Sequence, residues 1–204
     1  PDDPDRHSEA TSTDRARQQR RSLEALHRPG ISSAEIDRAI NQLANADRQI
    51  AFAARIALEH QPTDRWATRI LSHPDDATRL MGLLALTRSD DGSHAGDVVD
   101  ALMEVELSSL GDQCTLIYLR TWHVHMARHG SPGRAVEQSL ANRLLQSYPT
   151  GSSAEDQQRC ELLVALSSGH VVVKTMPLLE QASDAPDDAD LILLGRNTTY
   201  GDPI

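Results

Sequence analysis

The chain has 204 residues, of which 39% are apolar and 25% charged, and its formal net charge is −10. This length suffices for one or two domains with a buried core, and the negative charge disfavours a surface for nucleic acid or anionic membranes, which need clustered lysine and arginine. No stretch approaches about 18 consecutive apolar residues, so we expect no membrane span.

Alanine and leucine together make up about a quarter of the chain, whereas phenylalanine, tyrosine and tryptophan account for only 3%. Alanine and leucine favour helices, while strands favour aromatic and β-branched side chains. Apolar residues recur at helical spacing in successive segments, and no strand pair or βαβ unit competes with that pattern. The sequence therefore predicts an all-α protein.

The predicted organisation begins with residues 1–12, which are rich in proline, aspartate, serine and threonine and are expected to be a linker. Residues 13–30 follow as a polar leading helix that ends at Pro29 and Gly30. Residues 31–204 are expected to form one array of helices. The chain opens on Pro-Asp-Asp-Pro-Asp without a methionine and closes on Gly-Asp-Pro-Ile, so we expect a fragment of a larger chain.

Capping signals mark the starts of successive helices within this array. They are a capping box at Ser32–Glu35, Asp47, the run His73–Asp76 with Pro74 at the first helical position followed by acidic residues, and a further signal at Gly151–Glu155. The later helices are expected over 95–108, 112–129, 171–182 and 187–194. Turns of about two to six residues join them, and helix pairs recur about every 28 to 45 residues. Since stacked hairpins bury apolar surface that each would expose alone, we predict an α-α superhelix of about four to five hairpins.

One segment carries a family resemblance. Ala46–Leu58 reads Ala-Asp-Arg-Gln-Ile-Ala-Phe-Ala-Ala-Arg-Ile-Ala-Leu and resembles the second helix of a HEAT repeat. Weaker echoes lie at Pro74–Leu86 and Arg159–Leu166, while 112–129 departs from the motif, so that the resemblance covers about residues 32–183. It implies a HEAT-like (armadillo-type) α-solenoid in which the turn aspartate caps its helix and small residues let helices approach closely.

Three residues of this motif are expected to be structural. We expect Asp47, Arg48 and Arg55 to provide a cap and a ladder between neighbouring repeats. A catalytic carboxylate at Asp47 would lack a partner carboxylate, which glycoside hydrolysis and similar acid–base chemistry require.

A narrower likeness lies between Phe52 and Trp66. This stretch is similar to the HEAT-like segment of large exported proteins of planctomycete-type bacteria, which resemble a dehydrogenase-like β-propeller joined through helical repeats to a C-terminal c-type cytochrome. The likeness implies a periplasmic or exported parent protein, with haem c elsewhere in the chain, to which residues 195–201 would lead. It implies no cofactor in this segment, and neighbouring domains or another protein as partners.

The densest group of potential metal ligands is His123, His125 and His129. His125 and His129 are one helical turn apart, the spacing at which two imidazoles can share a metal. A zinc site needs further ligands, and Met126 stands where the HExxH motif has its glutamate. The three histidines are therefore weak metal candidates, and a polar face near a helix C-terminus is the simpler interpretation.

The remaining candidate residues are expected to serve the core. Trp66 and Trp122 lie on apolar helix faces and are predicted core residues. Cys114 and Cys160 lack metal or haem-attachment spacing and are predicted to be buried thiols without a disulfide.

The sequence contains no nucleophile elbow, P-loop, dinucleotide fingerprint or pair of catalytic carboxylates, so no catalytic residue is expected. The first hypothesis is a non-catalytic scaffold or interaction module, with any electron-transfer or dehydrogenase activity elsewhere in the parent chain. Two alternatives stay open: a HEAT-like enzyme of the DNA glycosylase or bilin lyase type, and a histidine-based metal or haem-binding module.

Overall fold

The computed structural model describes residues 4–167 and 173–176, with side chains from residue 13 onward. This part of the chain contains helices and no strand, which confirms the prediction of an all-α protein for the described residues. The α-helices are α1 Pro4–Glu24, α2 Ser33–Ile40, α3 Arg48–Glu59, α4 Ala67–Leu71, α5 Asp76–Ser89, α6 Ala95–Glu104, α7 Asp112–His129, α8 Arg134–Gln146 and α9 Ser153–Ala165. Short 3-10 turns at Thr63–Arg65 and Leu107–Ser109 precede α4 and α7. None of the helices described here has both the length and the apolar content to cross a membrane.

Capping side chains begin two helices at the positions that the sequence predicts. Ser32 accepts a hydrogen bond from the backbone N–H of Glu35, and Glu35 accepts one from the backbone N–H of Ser32. Asp47 accepts from two backbone N–H groups in the first turn of α3. Helix α5 was predicted to begin at Pro74, but Asp75 is its cap and accepts from the backbone N–H of Thr78. These bonds satisfy donors that have no partner inside the helix.

Several helix boundaries differ from the prediction. Helix α1 begins at Pro4, inside the segment 1–12 that was predicted to be a linker. Proline fits a first helical turn because its missing N–H would be unbonded there, and acidic residues are favoured at that end. The helix predicted over 95–108 ends at Glu104. Of the helix predicted over 171–182 only residues 173–176 are described, as a helical turn, and the segments 187–194 and 195–201 lie outside the described residues.

Helix α1 ends at Glu24, before the predicted stop at Pro29 and Gly30, and a buried amide holds the turn that follows it. The side chain of Gln61 is 3% exposed, and its Oε1 accepts from the N–H groups of Gly30 and Ile31 at 3.0 and 3.2 Å. Its Nε2 donates to the carbonyl oxygen of Arg28 at 2.7 Å and to a carbonyl inside α3 at 3.3 Å. Gly30 has φ +77°, which glycine adopts without strain. Gln61 thereby fixes the turn after α1 to the end of α3.

The chain divides into two compact units, Pro1–Glu137 and Gln138–Ile204, and the boundary lies inside α8. The sequence predicted one array over 31–204 without a boundary at this place. In the first unit α1 packs on α3, α3 on α5 and α5 on α7. Helix α2 packs on α3, α4 on α5 and α6, and α6 on α5 and α7. The odd-numbered helices of the first unit, α1, α3, α5 and α7, therefore pack in series, each against the next.

Helix α5 is the centre of the first unit because α3, α4, α6 and α7 all pack against it. Its buried residues lie around most of its circumference: Thr78, Leu80, Gly82, Leu83, Ala85, Leu86 and Thr87. A helix that is covered on most sides does not show a single apolar stripe. Trp66 and Trp122 are 1% and 0% exposed, so their prediction as core residues is confirmed.

The second unit contains α9, and two cationic side chains of this unit donate to carbonyl oxygens near the C-terminal end of α8. Arg159 is 3% exposed and donates to Glu155 at 2.6 and 2.7 Å and to the carbonyl oxygen of Leu144 at 3.2 Å. Lys174 donates to two further carbonyl oxygens near this end, at 2.6 and 2.8 Å. These cations bond carbonyl groups that the helix end leaves without partners.

Both cysteines are free thiols, as predicted, but they are half-buried rather than buried. Cys114 lies in the first unit and Cys160 in the second. Burial raises the pKa of the Cys114 thiol, and the charges of Asp75 and Asp76 raise it further. A thiol of raised pKa is a poor nucleophile at neutral pH, which fits a structural role for Cys114.

We expect Gly82→Ala to destabilise the protein by about 1–3 kcal/mol, the usual cost of overpacking a core. A Cβ atom at this position would lie 2.5 to 2.9 Å from three side-chain atoms of Ile70, which is 0% exposed. Urea unfolding followed by circular dichroism measures the change.

Gly96→Ala on α6 is the matched control, because no atom lies within 4 Å of a Cβ placed there. Alanine has the higher helix propensity, so this variant should be as stable as the parent chain or more stable by up to about 1 kcal/mol. Equal effects at the two glycines would contradict the close approach of α4 to α5.

Candidate functional site

The three candidate histidines lie on α7, and the structure brings two of them together. The ring centroids of His125 and His129 are 5.3 Å apart, and Nε2 of His129 lies 3.1 Å from the carbonyl oxygen of Thr87 on α5. His123 is half-buried and precedes His125 by two residues, a spacing that places it on another side of the helix.

His125 belongs to the core rather than to an accessible site. It is 3% exposed, and its ring packs edge-on against Trp122 at a centroid distance of 6.0 Å. Nδ1 of His125 and Nε1 of Trp122 are buried without a hydrogen-bond partner among the described residues. Burial lowers the pKa of His125, and the charge of His129 lowers it further. The imidazole is therefore neutral at pH 7 and meets no substrate in this conformation.

The histidine pair does not complete a metal site in the described residues. Within that part of the chain, no group of three or more histidine, cysteine, aspartate or glutamate side chains is arranged to hold a metal ion. Zinc takes four ligands, or three and a water molecule in catalytic sites. His125 and His129 alone fall short of that number.

Asp90, the residue that ends α5, is a second group with a shifted pKa. It is 2% exposed, and its carboxylate accepts from the N–H groups of Gly92 and His94 at 2.9 and 2.8 Å and from the hydroxyls of Ser93 and Thr63 at 3.0 Å. Burial raises the pKa of Asp90, but these hydrogen bonds outweigh burial and bring it below its ordinary value. Asp90 therefore joins the loop after α5 to the turn before α4.

The predicted ladder residues Asp47, Arg48 and Arg55 lie apart from one another on α3. Asp47 caps the first turn of the helix, and Arg48 beside it is exposed. Arg55 lies two turns further along the helix and is 9% exposed. The guanidinium group of Arg55 forms an ion pair with Glu59 of the same helix.

Glu59 connects α3 to α5. The same carboxylate oxygen, Oε1, pairs with Nη1 of Arg55 and accepts from Nε of Arg88 at 3.0 Å. The side chains of Arg55 and Glu59 are 11% and 15% exposed, whereas that of Arg88 is 43% exposed. Because water reaches Arg55 and Glu59 poorly, their attraction is screened less than that of an exposed pair. Glu59 therefore bridges α3 and α5 through ion pairs with Arg55 and Arg88, while Asp47 and Arg48 take no part in this contact.

One exposed side chain packs against this ion pair, and the charge of a second acts on it. Phe52 on α3 is 53% exposed, and the guanidinium carbon of Arg55 lies 5.0 Å from the centroid of its ring, a cation–π geometry. Arg120 on α7 is exposed. We call the surface formed by Phe52, Arg55, Glu59, Arg88 and Arg120, with the half-buried Leu84 and Leu116 one turn before the last two arginines, the arginine face.

The charges of the arginine face act on Arg55. Burial lowers the pKa of Arg55, Glu59 raises it, and Arg88 and Arg120 lower it further. The guanidinium groups of Arg88 and Arg120 therefore lie close enough to Arg55 to act on its charge, and the carboxylate of Glu59 lies among them. Such a surface can bind an anionic group by charge-assisted hydrogen bonds.

The HEAT-like motif contains Arg55 but gives no indication of Glu59, Arg88 or Arg120 as members of the same surface. The spacing of apolar residues and arginines on α3, α5 and α7 could have indicated Arg88 and Arg120. An apolar residue precedes an arginine by one turn on each of α3, α5 and α7, in the pairs Phe52 and Arg55, Leu84 and Arg88, and Leu116 and Arg120.

Comparison of the chain with protein families, curated proteins and solved structures finds no match. The resemblance to HEAT repeats is therefore carried by the residues quoted above. The functional interpretation depends on the arginine face and on the structural roles of the other candidate groups.

We expect His125→Phe to leave the free energy of unfolding at pH 7 unchanged or to raise it by up to about 2 kcal/mol. The substitution keeps an aromatic ring and removes a buried nitrogen without a described partner, whose desolvation costs about 1–3 kcal/mol. Because folding lowers the pKa of His125, the parent chain loses stability as the pH falls below the ordinary value of 6.5.

The His125→Phe variant should lose less stability between pH 7 and about pH 5 than the parent chain, in urea unfolding followed by circular dichroism. Destabilisation by more than about 3 kcal/mol would instead indicate that the imidazole binds a partner that the structure does not contain.

We expect Asp90→Asn to destabilise the protein by about 1–3 kcal/mol at neutral pH, since hydrogen bonds to a charged acceptor are stronger than those to an amide. The folded-state pKa of Asp90 lies below 3.8, so the stability that it contributes is present above that value and is lost as the pH falls towards the folded pKa.

Unfolding curves at a series of acidic pH values test this, and the Asp90→Asn variant should show a smaller loss on acidification. Asp100→Asn is the matched control, because Asp100 is exposed on α6 and the charge change is the same. Equal effects of the two substitutions would refute the role assigned to Asp90.

Proposed function

We propose that this chain is a non-catalytic scaffold or interaction module that binds another protein through the arginine face. The observation that carries the proposal is the combination of an exposed aromatic ring with three guanidinium groups on neighbouring helices. Aromatic residues and arginine are enriched at protein–protein interfaces and dominate their binding energy. Arg55 contacts both the ring of Phe52 and the carboxylate of Glu59, so this part of the face is ordered before a partner binds.

A HEAT-like α-solenoid of about four to five hairpins is the architecture that we propose for the module. Two features support it. In the first unit α1 packs on α3, α3 on α5 and α5 on α7. Arrays of that kind present extended binding surfaces. Asp47 also caps α3, as the HEAT resemblance implies.

The module would belong to a larger, exported protein, in which neighbouring domains or a separate protein are its partners. The similarity of Phe52–Trp66 to helical segments of exported planctomycete-type proteins supports this placement, with haem c in another part of the parent chain. A non-catalytic role is supported by His125 and Asp90, since both are buried in structural contacts.

Photo-cross-linking in the native host tests the proposed function. A photoreactive amino acid is placed at Phe52 or Leu84 on the arginine face, and at Arg15, an exposed position on α1, as the control. We expect both positions on the face to cross-link to the same protein and Arg15 not to do so. The cross-linked protein is then purified and its affinity for the chain is measured.

Arg120→Glu should weaken that affinity by about tenfold or more, because an attraction is replaced by a repulsion. Arg48→Glu makes the same charge change at the other end of α3 and should bind as the parent chain does. Equal cross-linking from Arg15, or an affinity that Arg120→Glu leaves unchanged, would contradict docking through the arginine face.

A further inference from the structure

The arginine face repeats one arrangement on three neighbouring helices. On each helix a partly exposed apolar residue precedes an arginine by three or four positions, a spacing that places both side chains on the same side of the helix. The apolar members are Phe52 on α3, Leu84 on α5 and Leu116 on α7. Since α3 packs on α5 and α5 on α7, the face carries one apolar and one cationic side chain on each of three neighbouring helices.

The helix pairs α3–α5 and α5–α7 differ in whether a carboxylate binds the arginines between them. Between α3 and α5, Glu59 supplies a carboxylate to both Arg55 and Arg88. Arg88 uses its Nε for this bond, and in the described part of the chain its terminal nitrogens bond no other group. Arg120 on α7 forms no hydrogen bond or ion pair with the described residues. Between α5 and α7, the described residues therefore supply no carboxylate that binds two arginines as Glu59 does between α3 and α5. The guanidinium groups of Arg88 and Arg120 are exposed to solvent.

We propose that the arginine face binds an acidic segment of another protein in which carboxylate side chains recur at regular intervals with apolar side chains between them. This inference rests on the proposed function and names the chemistry of its partner. Carboxylates of the segment would bind Arg88 and Arg120 as Glu59 binds Arg55 and Arg88, with bidentate geometry available at each guanidinium group. Its apolar side chains would cover Phe52, Leu84 and Leu116.

The charge of the whole chain favours this location. With a net charge of −10, most of the protein surface repels an acidic segment, and complementary charge confines binding to the arginine face. Nucleic acids and anionic membranes also present anionic groups, but they need a cationic surface that is much more extended than three arginines.

The packing of the helices sets the spacing of acidic residues in the segment. Neighbouring helices lie about 8–10 Å apart, and a chain in the polyproline II conformation advances about 3.1 Å per residue with about three residues per turn. A segment that crosses from α3 to α7 in this conformation therefore passes one helix in about three residues, and every third side chain points the same way. We expect aspartate or glutamate at about every third position, with leucine or phenylalanine among the residues between.

Fluorescence anisotropy with the purified full chain tests the inference. The probe is a labelled synthetic peptide with glutamate at about every third position and leucine or phenylalanine between. We expect saturable binding that weakens at about 1 M salt, where charges are screened within about 3 Å. The same peptide with glutamine in place of glutamate should bind at least about tenfold more weakly.

Two variants of the protein locate the binding. Arg120→Glu should weaken peptide binding by about tenfold or more, and it disrupts no described hydrogen bond or ion pair, so the fold should be preserved in circular dichroism. Arg48→Glu, with the same change of charge on α3, should bind the peptide as the parent chain does. Arg88→Glu should also weaken binding, although it leaves Glu59 with one partner fewer.

Three results would overturn the inference: no saturable binding of the acidic peptide, binding that Arg120→Glu leaves unchanged, or tighter Arg120-dependent binding of single-stranded DNA or phosphatidylserine vesicles. A protein that cross-links at Phe52 and Leu84 but does not compete with the acidic peptide would overturn this inference alone. In that case docking through the arginine face would stand, whereas the absence of any cross-linked protein would remove both.

Discussion

The burial of α5 on most of its sides is the constraint on which the first unit depends. Four helices pack against it, so its buried residues must fit their neighbours. Gly82 provides the room for Ile70 of α4. The buried hydroxyl of Thr87 is satisfied because it donates to the carbonyl oxygen of Leu83 at 2.8 Å. At the C-terminal end of the helix, Arg88 contributes to the arginine face and Asp90 organises the following loop.

Local signals in the sequence were enough to predict much of this fold. Ser32 and Asp47 cap their helices as expected because a cap bonds only the next few residues. The range 112–129 agrees with α7 because glycine and charged residues mark both of its ends. The turn held by Gln61 was not predictable, since its amide bonds residues that lie about thirty positions away in the chain. No local pattern contains such a contact.

For the candidate site too, the features that depend on local spacing were predictable and those that depend on tertiary packing were not. The pairing of His125 with His129 follows from helical spacing, but only tertiary packing shows that His125 is buried beside Trp122 and cannot meet a ligand. Arg55 drew attention through its motif, and Glu59 lies one turn away on the same helix. The place of Arg88 and Arg120 beside them depends on how α5 and α7 pack, and it could not be derived from α3 alone.

The contact between Arg55 and Phe52 has a consequence for the speed of recognition. Arg55 lies over the ring and is itself fixed by a carboxylate, so the most exposed apolar group of the arginine face has little conformational freedom to lose when it is covered. A surface with this geometry need not rearrange after contact. Its association rate would be governed by diffusion and electrostatic steering, and differences between ligands would be expressed in how slowly they leave.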